Sequence, residues 1–204
     1  MSTPRWFTET KENHSEWYVN HFRKLMREGA DLSGEARFLD ALVSPGSRIL
    51  DAGCGQGRTA GALAARGHTV CAVDVDEVLV DAARTDNAGP QYLVADISGD
   101  EFLTRVHECV PEVHFDAAIS AGNVITYTSP GTEVAFLRNI ARVLRPDSPY
   151  VLGFHVARYQ LDAFDADLAS AGFELENRFA SWDLRPWTAE SDFAVSVLRT
   201  PNNA

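Results

Sequence analysis

From residue 48 onward, short β-rich runs alternate with segments whose apolar residues have helical spacing. This alternation is typical of βαβ units, in which a helix joins each strand to a parallel neighbour. The sequence therefore predicts an α/β fold with a largely parallel sheet. The first five strands are predicted at residues 48–51, 69–73, 91–94, 115–120 and 150–155.

The two ends of the chain depart from this alternation. Residues 173–182 and 193–200 are β-rich and follow each other without a helix, which predicts an antiparallel pair at one edge of the sheet. Residues 1–45 carry aromatic side chains among polar ones, on one or two predicted helices. We expect this segment to be a helical cap that either covers a face of the sheet or closes as a lid over a ligand site. Residues 46–204 then form the core of a single domain.

Charge and cysteine content exclude several classes of partner. With 29 acidic and 18 basic side chains, the formal net charge is -11, and the basic residues are not clustered. Neither nucleic acid nor an anionic membrane surface is therefore an expected partner. No segment has the apolar length of a signal core or a membrane span, and Cys54, Cys71 and Cys109 lack the CxxC spacing of a zinc site. We expect a reducing, cytoplasmic location and no metal.

The most informative stretch is residues 49–58, where an apolar strand runs through ILDAGCGQGR into a helix. Its three glycines allow a tight turn and let a ligand approach the backbone N–H groups. The turn is not a phosphate-binding Walker loop, because the lysine is missing. Gly55, Gly57 and Ala60 do match the GxGxxA pattern of dinucleotide-binding proteins, and Asp74 lies at the spacing of their ribose-binding acid. An NAD(P)-dependent oxidoreductase is therefore one interpretation.

Asp51 favours a different ligand. A carboxylate at the mouth of the first strand would repel the pyrophosphate of a dinucleotide but attract a cation. Asp74 ends the second predicted strand and Asp96 follows the third, so acids stand at three successive strand ends. Together with the DxGxGxG turn, this arrangement resembles the class I S-adenosylmethionine-dependent methyltransferases over about residues 36–200. The resemblance implies a Rossmann-like three-layer sandwich, with a seven-stranded, mostly parallel sheet whose last strand is antiparallel.

The resemblance also implies S-adenosylmethionine as the cofactor and assigns roles by position. Asp51 and the backbone of residues 53–55 would hold its methionine moiety, directly or through water. Asp74 would bind both ribose hydroxyls through charge-assisted hydrogen bonds. Asp96, with Ile97, would face the adenine.

Two further regions complete the predicted cofactor site. Arg37 lies on the helix before the first strand, where it would either meet the cofactor carboxylate or be an ordinary surface arginine. Residues 120–124 follow the fourth strand and are small enough to lie beside the sulfonium. The full predicted set is Asp51, Gly53, Cys54, Gly55, Gly57, Asp74, Val75, Asp96, Ile97, Ala121, Asn123 and Arg37.

Methyl transfer from a sulfonium is an in-line displacement by a nucleophile. The electrophile is already activated, so the protein mainly aligns donor and acceptor in a dry pocket. A general base is needed only when the acceptor must lose a proton. The predicted candidates are His155 after the fifth strand, Tyr127 after the fourth, and His14 or His21 in the cap, each of which could instead be a packing or surface residue.

The predicted function is methyl transfer to a small-molecule acceptor, because a short cap and short loops leave little room for a macromolecule. The [DNS]PP[YFW] motif of enzymes that methylate DNA bases is absent at residues 120–124, which also disfavours a nucleic-acid substrate. Two alternatives stay open. The chain could be an NAD(P)-dependent oxidoreductase, or it could bind its cofactor without catalysing a reaction.

Overall fold

The computed structural model describes residues 3–110 and 114–201 and contains a seven-stranded sheet. The outermost residues of the predicted cap and core, 1, 2 and 202–204, lie outside the described residues. The strands are β1 (Arg48–Ala52), β2 (Thr69–Asp74), β3 (Gln91–Val94), β4 (Ala117–Ser120), β5 (Pro149–His155), β6 (Glu174–Phe179) and β7 (Phe193–Arg199). The helices are α1 (Arg5–Glu9), α2 (His14–Arg27), α3 (Gly34–Asp40), α4 (Arg58–Ala64), α5 (Glu77–Asp86), α6 (Phe102–Cys109), α7 (Glu133–Val143) and α8 (Leu161–Ala171), with a 3-10 turn at Val124–Tyr127.

The strands are arranged in the order β3-β2-β1-β4-β5-β7-β6. The first five strands pair in parallel with their neighbours in the sheet, and helices connect them along the chain. By contrast, β7 lies between β5 and β6 and is antiparallel to both. The predicted mostly parallel, seven-stranded sheet with an antiparallel last strand is confirmed. The order of the strands reverses between β1 and β4, which is where open α/β sheets bind ligands.

The core forms one apolar layer on each face of the sheet. Ile49 and Leu50 are both fully buried, because successive residues of a central strand point to opposite faces. Leu50 packs in a layer with residues of α6, α7 and α8, such as Phe102 and Phe136. Ile49 packs in a layer with residues of α3 and α4, such as Leu39. In each layer, the apolar faces of the helices are buried against the sheet. This burial is the main stabilising contribution to such a fold.

The N-terminal segment has two parts with different environments. α3 joins the apolar layer beneath the sheet, and three of its seven residues are buried. Among the residues of α1 and α2, only Val19 is buried. These two helices lie at the carboxyl edge of the sheet instead, held there mainly by polar and aromatic contacts. No helix within the described ranges combines the length and apolarity required to cross a bilayer.

Candidate functional site

Three carboxylates stand along one edge of the sheet, as the strand order requires. Asp51 lies near the end of β1, Asp74 ends β2, and Asp96 comes just after β3. Because these three strands are parallel neighbours, their carboxyl ends meet at the same edge.

A cavity of about 250 Å³ opens at this edge. Eight of the twelve predicted cofactor residues line it: Gly53, Gly55, Asp74, Val75, Asp96, Ile97, Ala121 and Asn123. Val124, from the predicted segment 120–124, forms an apolar wall together with Leu79 and Phe136, two residues that were not predicted from the sequence. Such residues have the spacing of ordinary core residues, so no sequence signal separates them from the rest of the core.

The glycine turn has a backbone conformation that residues with a side chain rarely adopt. Gly53, Gly55 and Gly57 have φ values of +83°, +54° and +83°. A Cβ on Gly53 would also lie 2.2 Å from Cγ1 of Val124, so this position lacks space as well. Gly53 and Gly55 reach the cavity, whereas Gly57 precedes α4 and Cys54 is buried behind the turn.

Asp51 is a buried carboxylate with no well-aligned hydrogen bond among the described residues, although the backbone N–H of Ala60 is near enough to lower its pKa. Its side chain is 1% exposed, and neither oxygen accepts a hydrogen bond of ordinary geometry from the described residues. Burial raises its pKa to about 7, with a further contribution from the charge of Asp74 and an opposing one from Arg58. A buried carboxylate without well-aligned hydrogen bonds is costly, and a nearby cation would reduce that cost.

Asp74 is held in place by the backbone on either side of it. Its two carboxylate oxygens accept N–H groups, one from Gly55 at 2.8 Å and one from Asp76 at 3.0 Å. Burial raises the pKa of Asp74 to about 6, against these hydrogen bonds. Asp96, at the other side of the cavity, accepts two hydrogen bonds from Ser98 at 2.9 and 2.7 Å. Both acids are thus oriented before any ligand binds.

The helices α1 and α2 cover the cavity and are joined to α5 by one carboxylate. Asp76 caps α5 by accepting the N–H of Val78 at 2.9 Å. Its other oxygen accepts Nε1 of Trp6 at 2.7 Å and the hydroxyl of Ser15. Arg5 adds an ion pair to Glu133 at 2.9 Å, which ties α1 to α7.

Aromatic rings form the side of the cavity that faces the cap. The indole of Trp6 lies edge-to-face against His14, Tyr18 and Tyr127, with ring centroids 5.0, 5.9 and 5.4 Å apart. These four residues and Trp17 all line the cavity. The predicted cap segment therefore lies over the predicted ligand site.

The structure separates the candidate general bases. His14 and Tyr127 line the cavity, and the Tyr127 hydroxyl accepts a hydrogen bond from Arg158 at 2.8 Å. His155 lies outside the lining, is exposed, and packs its ring against Phe193. Its backbone N–H donates to Oδ1 of Asn123 at 2.7 Å, so its contribution to the site is to anchor a neighbouring loop. His21 is also exposed, stacked on Trp17.

Arg37 is not at the cavity. It is exposed on α3, where its guanidinium makes two hydrogen bonds to Asp31, at 2.9 and 2.6 Å. An acid six residues earlier thus provides a local partner, and the interpretation of Arg37 as a surface arginine fits its position. None of the cavity-lining residues among those described is a lysine or an arginine.

These features suit a cation better than a phosphate group. Asp51 does not itself line the cavity. A pyrophosphate at this turn would meet the charge of Asp74 in the lining and that of the buried Asp51 nearby, with no basic side chain in the described lining, whereas an ammonium or sulfonium would be attracted. The glycine backbone admits close approach, and the carboxylate of Asp74 is held at the cavity by two backbone N–H groups. The residues present therefore fit S-adenosylmethionine. Within the described part of the chain, no group of His, Cys, Asp or Glu side chains could hold a metal ion.

Comparisons with known proteins agree with this chemistry. The family model described as a methyltransferase domain matches residues 49–147. A crystal structure of a TehB-like SAM-dependent methyltransferase from Corynebacterium glutamicum is 39% identical, with a TM-score of 0.84, and the match covers 93% of this chain and 100% of that one.

Curated relatives match over shorter stretches. Magnesium-protoporphyrin O-methyltransferase of Rhodobacter capsulatus is 42% identical over 121 residues, covering 55% of this chain and 48% of the relative. The S-adenosyl-L-methionine-dependent Diels-Alderase iliD of Neonectria sp. is 37% identical over 106 residues, covering 50% and 43%. The chain thus spans less than half the length of these two relatives. The full-length match to the bacterial structure establishes that this chain belongs to the class I S-adenosylmethionine-dependent methyltransferases.

Proposed function

We propose that this protein transfers the methyl group of S-adenosylmethionine to a small-molecule acceptor. The observation that carries the proposal is one cavity that combines oriented acids, an open glycine turn and an aromatic cap. Asp74 would bind the ribose hydroxyls, Asp96 and Ile97 would flank the adenine, and Asp51 would attract the cationic end. When bound, S-adenosylmethionine supplies a methyl group that is already activated by its sulfonium sulfur.

The residues around the reacting end would mainly position the cofactor and the acceptor and exclude water. Val124, Phe136 and the cap aromatics would keep the site dry, which strengthens electrostatic interactions and prevents competing hydrolysis. His14 and Tyr127 are our proposed proton acceptors for a hydroxyl or amine substrate, because both line the cavity. Catalysis by alignment alone stays sufficient for an acceptor that attacks without losing a proton.

The size and charge of the cavity support a small, non-anionic acceptor. Its volume is about 250 Å³, at the small end of ligand sites, and the cofactor would take up most of it. With the cap in the observed position, cofactor and a large acceptor would not fit together. The absence of lysine and arginine from the described lining removes the usual partners of phosphate and carboxylate groups.

A second candidate is a protein that uses the cofactor without transferring its methyl group. The similarity to a protein named as a Diels-Alderase favours keeping this candidate. Family membership argues against the nicotinamide alternative, which also conflicts with the acidic turn. We further propose a reducing, cytoplasmic location, supported by the free, buried thiol of Cys54.

The proposal is tested by incubating the protein and methyl-labelled S-adenosylmethionine with metabolite pools, and following label into extractable products. We expect transfer by the wild type and none by Asp74→Ala, because the loss of that carboxylate removes the ribose partner. Asp81→Ala is the matched control, since Asp81 is an exposed acid on α5 that pairs with Arg84. Calorimetric binding of S-adenosylmethionine without transfer to any pool would favour the second candidate. Tighter binding of NADH than of S-adenosylmethionine would overturn both.

A further inference from the structure

Among the described residues that line the cavity, no lysine or arginine is present to pair with the carboxylate of the cofactor's amino acid moiety. This inference rests on the proposed function, in which that moiety lies against the glycine turn. Arg37 is paired elsewhere, and the backbone N–H groups of residues 53–55 are already used. The Nε2 of Gln56 in the same turn has no partner among the described residues, but Gln56 is buried and does not line the cavity. The N–H groups of Gly53 and Cys54 donate to the carbonyl of Val73 at 2.8 and 3.0 Å, and the N–H of Gly55 donates to Asp74. A carboxylate desolvated here without a donor would weaken binding.

Tyr18 of α2 places a hydroxyl at this position. A Cβ built on Gly55 would lie 3.4 Å from Cε1 of Tyr18 and 3.6 Å from its Oη, so the ring borders the turn. Tyr18 lines the cavity, and no hydrogen bond to its hydroxyl is formed by the described residues. Trp6 and Phe22 hold the ring on its other sides, with centroids 5.9 and 4.7 Å away.

The surroundings keep this hydroxyl protonated. Burial raises the pKa of Tyr18 to about 12, and the neighbouring carboxylates of Asp74, Glu35 and Asp51 act in the same direction. Arg58 opposes them, but its guanidinium is already held by Glu35 in two hydrogen bonds at 2.7 and 2.5 Å. The phenol therefore remains a donor throughout the neutral pH range.

We propose that Tyr18 donates a hydrogen bond to the carboxylate of bound S-adenosylmethionine and so ties the cap helix α2 to the cofactor. Tyr18 is then a cofactor-positioning residue carried by the cap rather than by the sheet. Among the residues of α1 and α2 only Val19 is buried, and the two helices are held mainly by polar and aromatic contacts, which is typical of elements that open locally. One added hydrogen bond would shift its equilibrium toward the closed position.

The test compares two thioether ligands that differ only in the amino acid part. S-adenosylhomocysteine carries the carboxylate, whereas 5′-methylthioadenosine keeps the nucleoside and lacks it. We expect Tyr18→Phe to bind S-adenosylhomocysteine about 10-fold or more weakly by calorimetry, because it loses a hydrogen bond to a charged group. Its affinity for 5′-methylthioadenosine should stay that of the wild type. Tyr159→Phe is the matched control, since Tyr159 lies outside this cavity and donates to Asp167.

A second measurement reports on the cap. In the wild type, S-adenosylhomocysteine should slow amide exchange in residues 14–27 more than 5′-methylthioadenosine does, and this difference should vanish in Tyr18→Phe. Unchanged affinity of the variant for S-adenosylhomocysteine, or equal loss for both ligands, would overturn the inference alone. A wild type that binds neither ligand would overturn the proposed function as well.

Discussion

Replacing Asp51 by asparagine is expected to change the stability of the ligand-free protein in a pH-dependent way, from no gain at pH 5 to stabilisation at pH 8. The carboxylate is 1% exposed and has no well-aligned hydrogen bond among the described residues, and burial raises its pKa from 3.8 to about 7. A raised pKa in the folded state means that folding takes up a proton between those two values, so the stability that Asp51 contributes declines as pH rises through that range. Ionisation of Asp51 therefore lowers the stability of the ligand-free protein near neutral pH, and a bound cation would reduce that cost.

The magnitude follows from the two pKa values. At about 1.4 kcal/mol for each pH unit, the raised pKa lowers the free energy of unfolding by about 4 kcal/mol at pH 8, where Asp51 is ionised in both states. At pH 5, where only the unfolded chain is ionised, it lowers that free energy by about 2 kcal/mol. Asparagine does not titrate, but its buried amide would lack partners at a cost of about 1–3 kcal/mol. Asp51→Asn should therefore be about 2 kcal/mol more stable than the wild type at pH 8, and equal or less stable at pH 5.

The assay is urea unfolding of both proteins at the two pH values. Asp116→Asn is the control, because Asp116 accepts the N–H of Arg48 at 2.7 Å and pairs with Arg145 at 3.2 Å. That substitution should lower the free energy of unfolding at pH 8, which is the opposite sign. A difference between Asp51→Asn and wild type that stays constant from pH 5 to pH 8, or shrinks, would refute the reasoning.

Two further predictions concern the turn and the cap. Gly53→Ala should destabilise the protein by about 2–5 kcal/mol in urea unfolding, since a close contact with Val124 adds to the cost of positive φ. Gly67→Ala, at a position with φ +90° but open space, should lower the free energy of unfolding by only about 1–2 kcal/mol in the same assay. Trp6→Phe removes the hydrogen bond to Asp76, so amide exchange in α1 and α2 should be about tenfold faster while β1 is unaffected. Equal losses at the two glycines, or unaltered exchange in the cap, would count against these contacts.

The positions of the site acids could be predicted because they follow from local pattern. Strands that alternate with helices must be parallel, and parallel neighbours end at one edge, so Asp74 and Asp96 could be assigned to the same edge from spacing alone. The glycine turn could be predicted for a similar reason, since only glycine tolerates the φ values that it requires.

Contacts made by the cap could not be predicted in this way. Tyr18 reaches Gly55 across 37 residues, and the bond from Trp6 to Asp76 spans 70, so no local pattern encodes either. Arg37 could not be placed for the opposite reason: Asp31, only six residues away in sequence, pairs with its guanidinium and keeps it from the cavity. The predicted strand at residues 173–182 similarly ended at Phe179, and Trp182 packs instead over Gly153, whose missing side chain makes room for it.

The most direct test of the central claim is a crystal structure of the complex with S-adenosylhomocysteine. We predict density in the described cavity, with the ribose hydroxyls on Asp74, the adenine between Asp96 and Ile97, and the amino acid moiety between the glycine turn and Tyr18. Density for the ligand at another edge of the sheet, or a ribose that does not contact Asp74, would contradict the site described here.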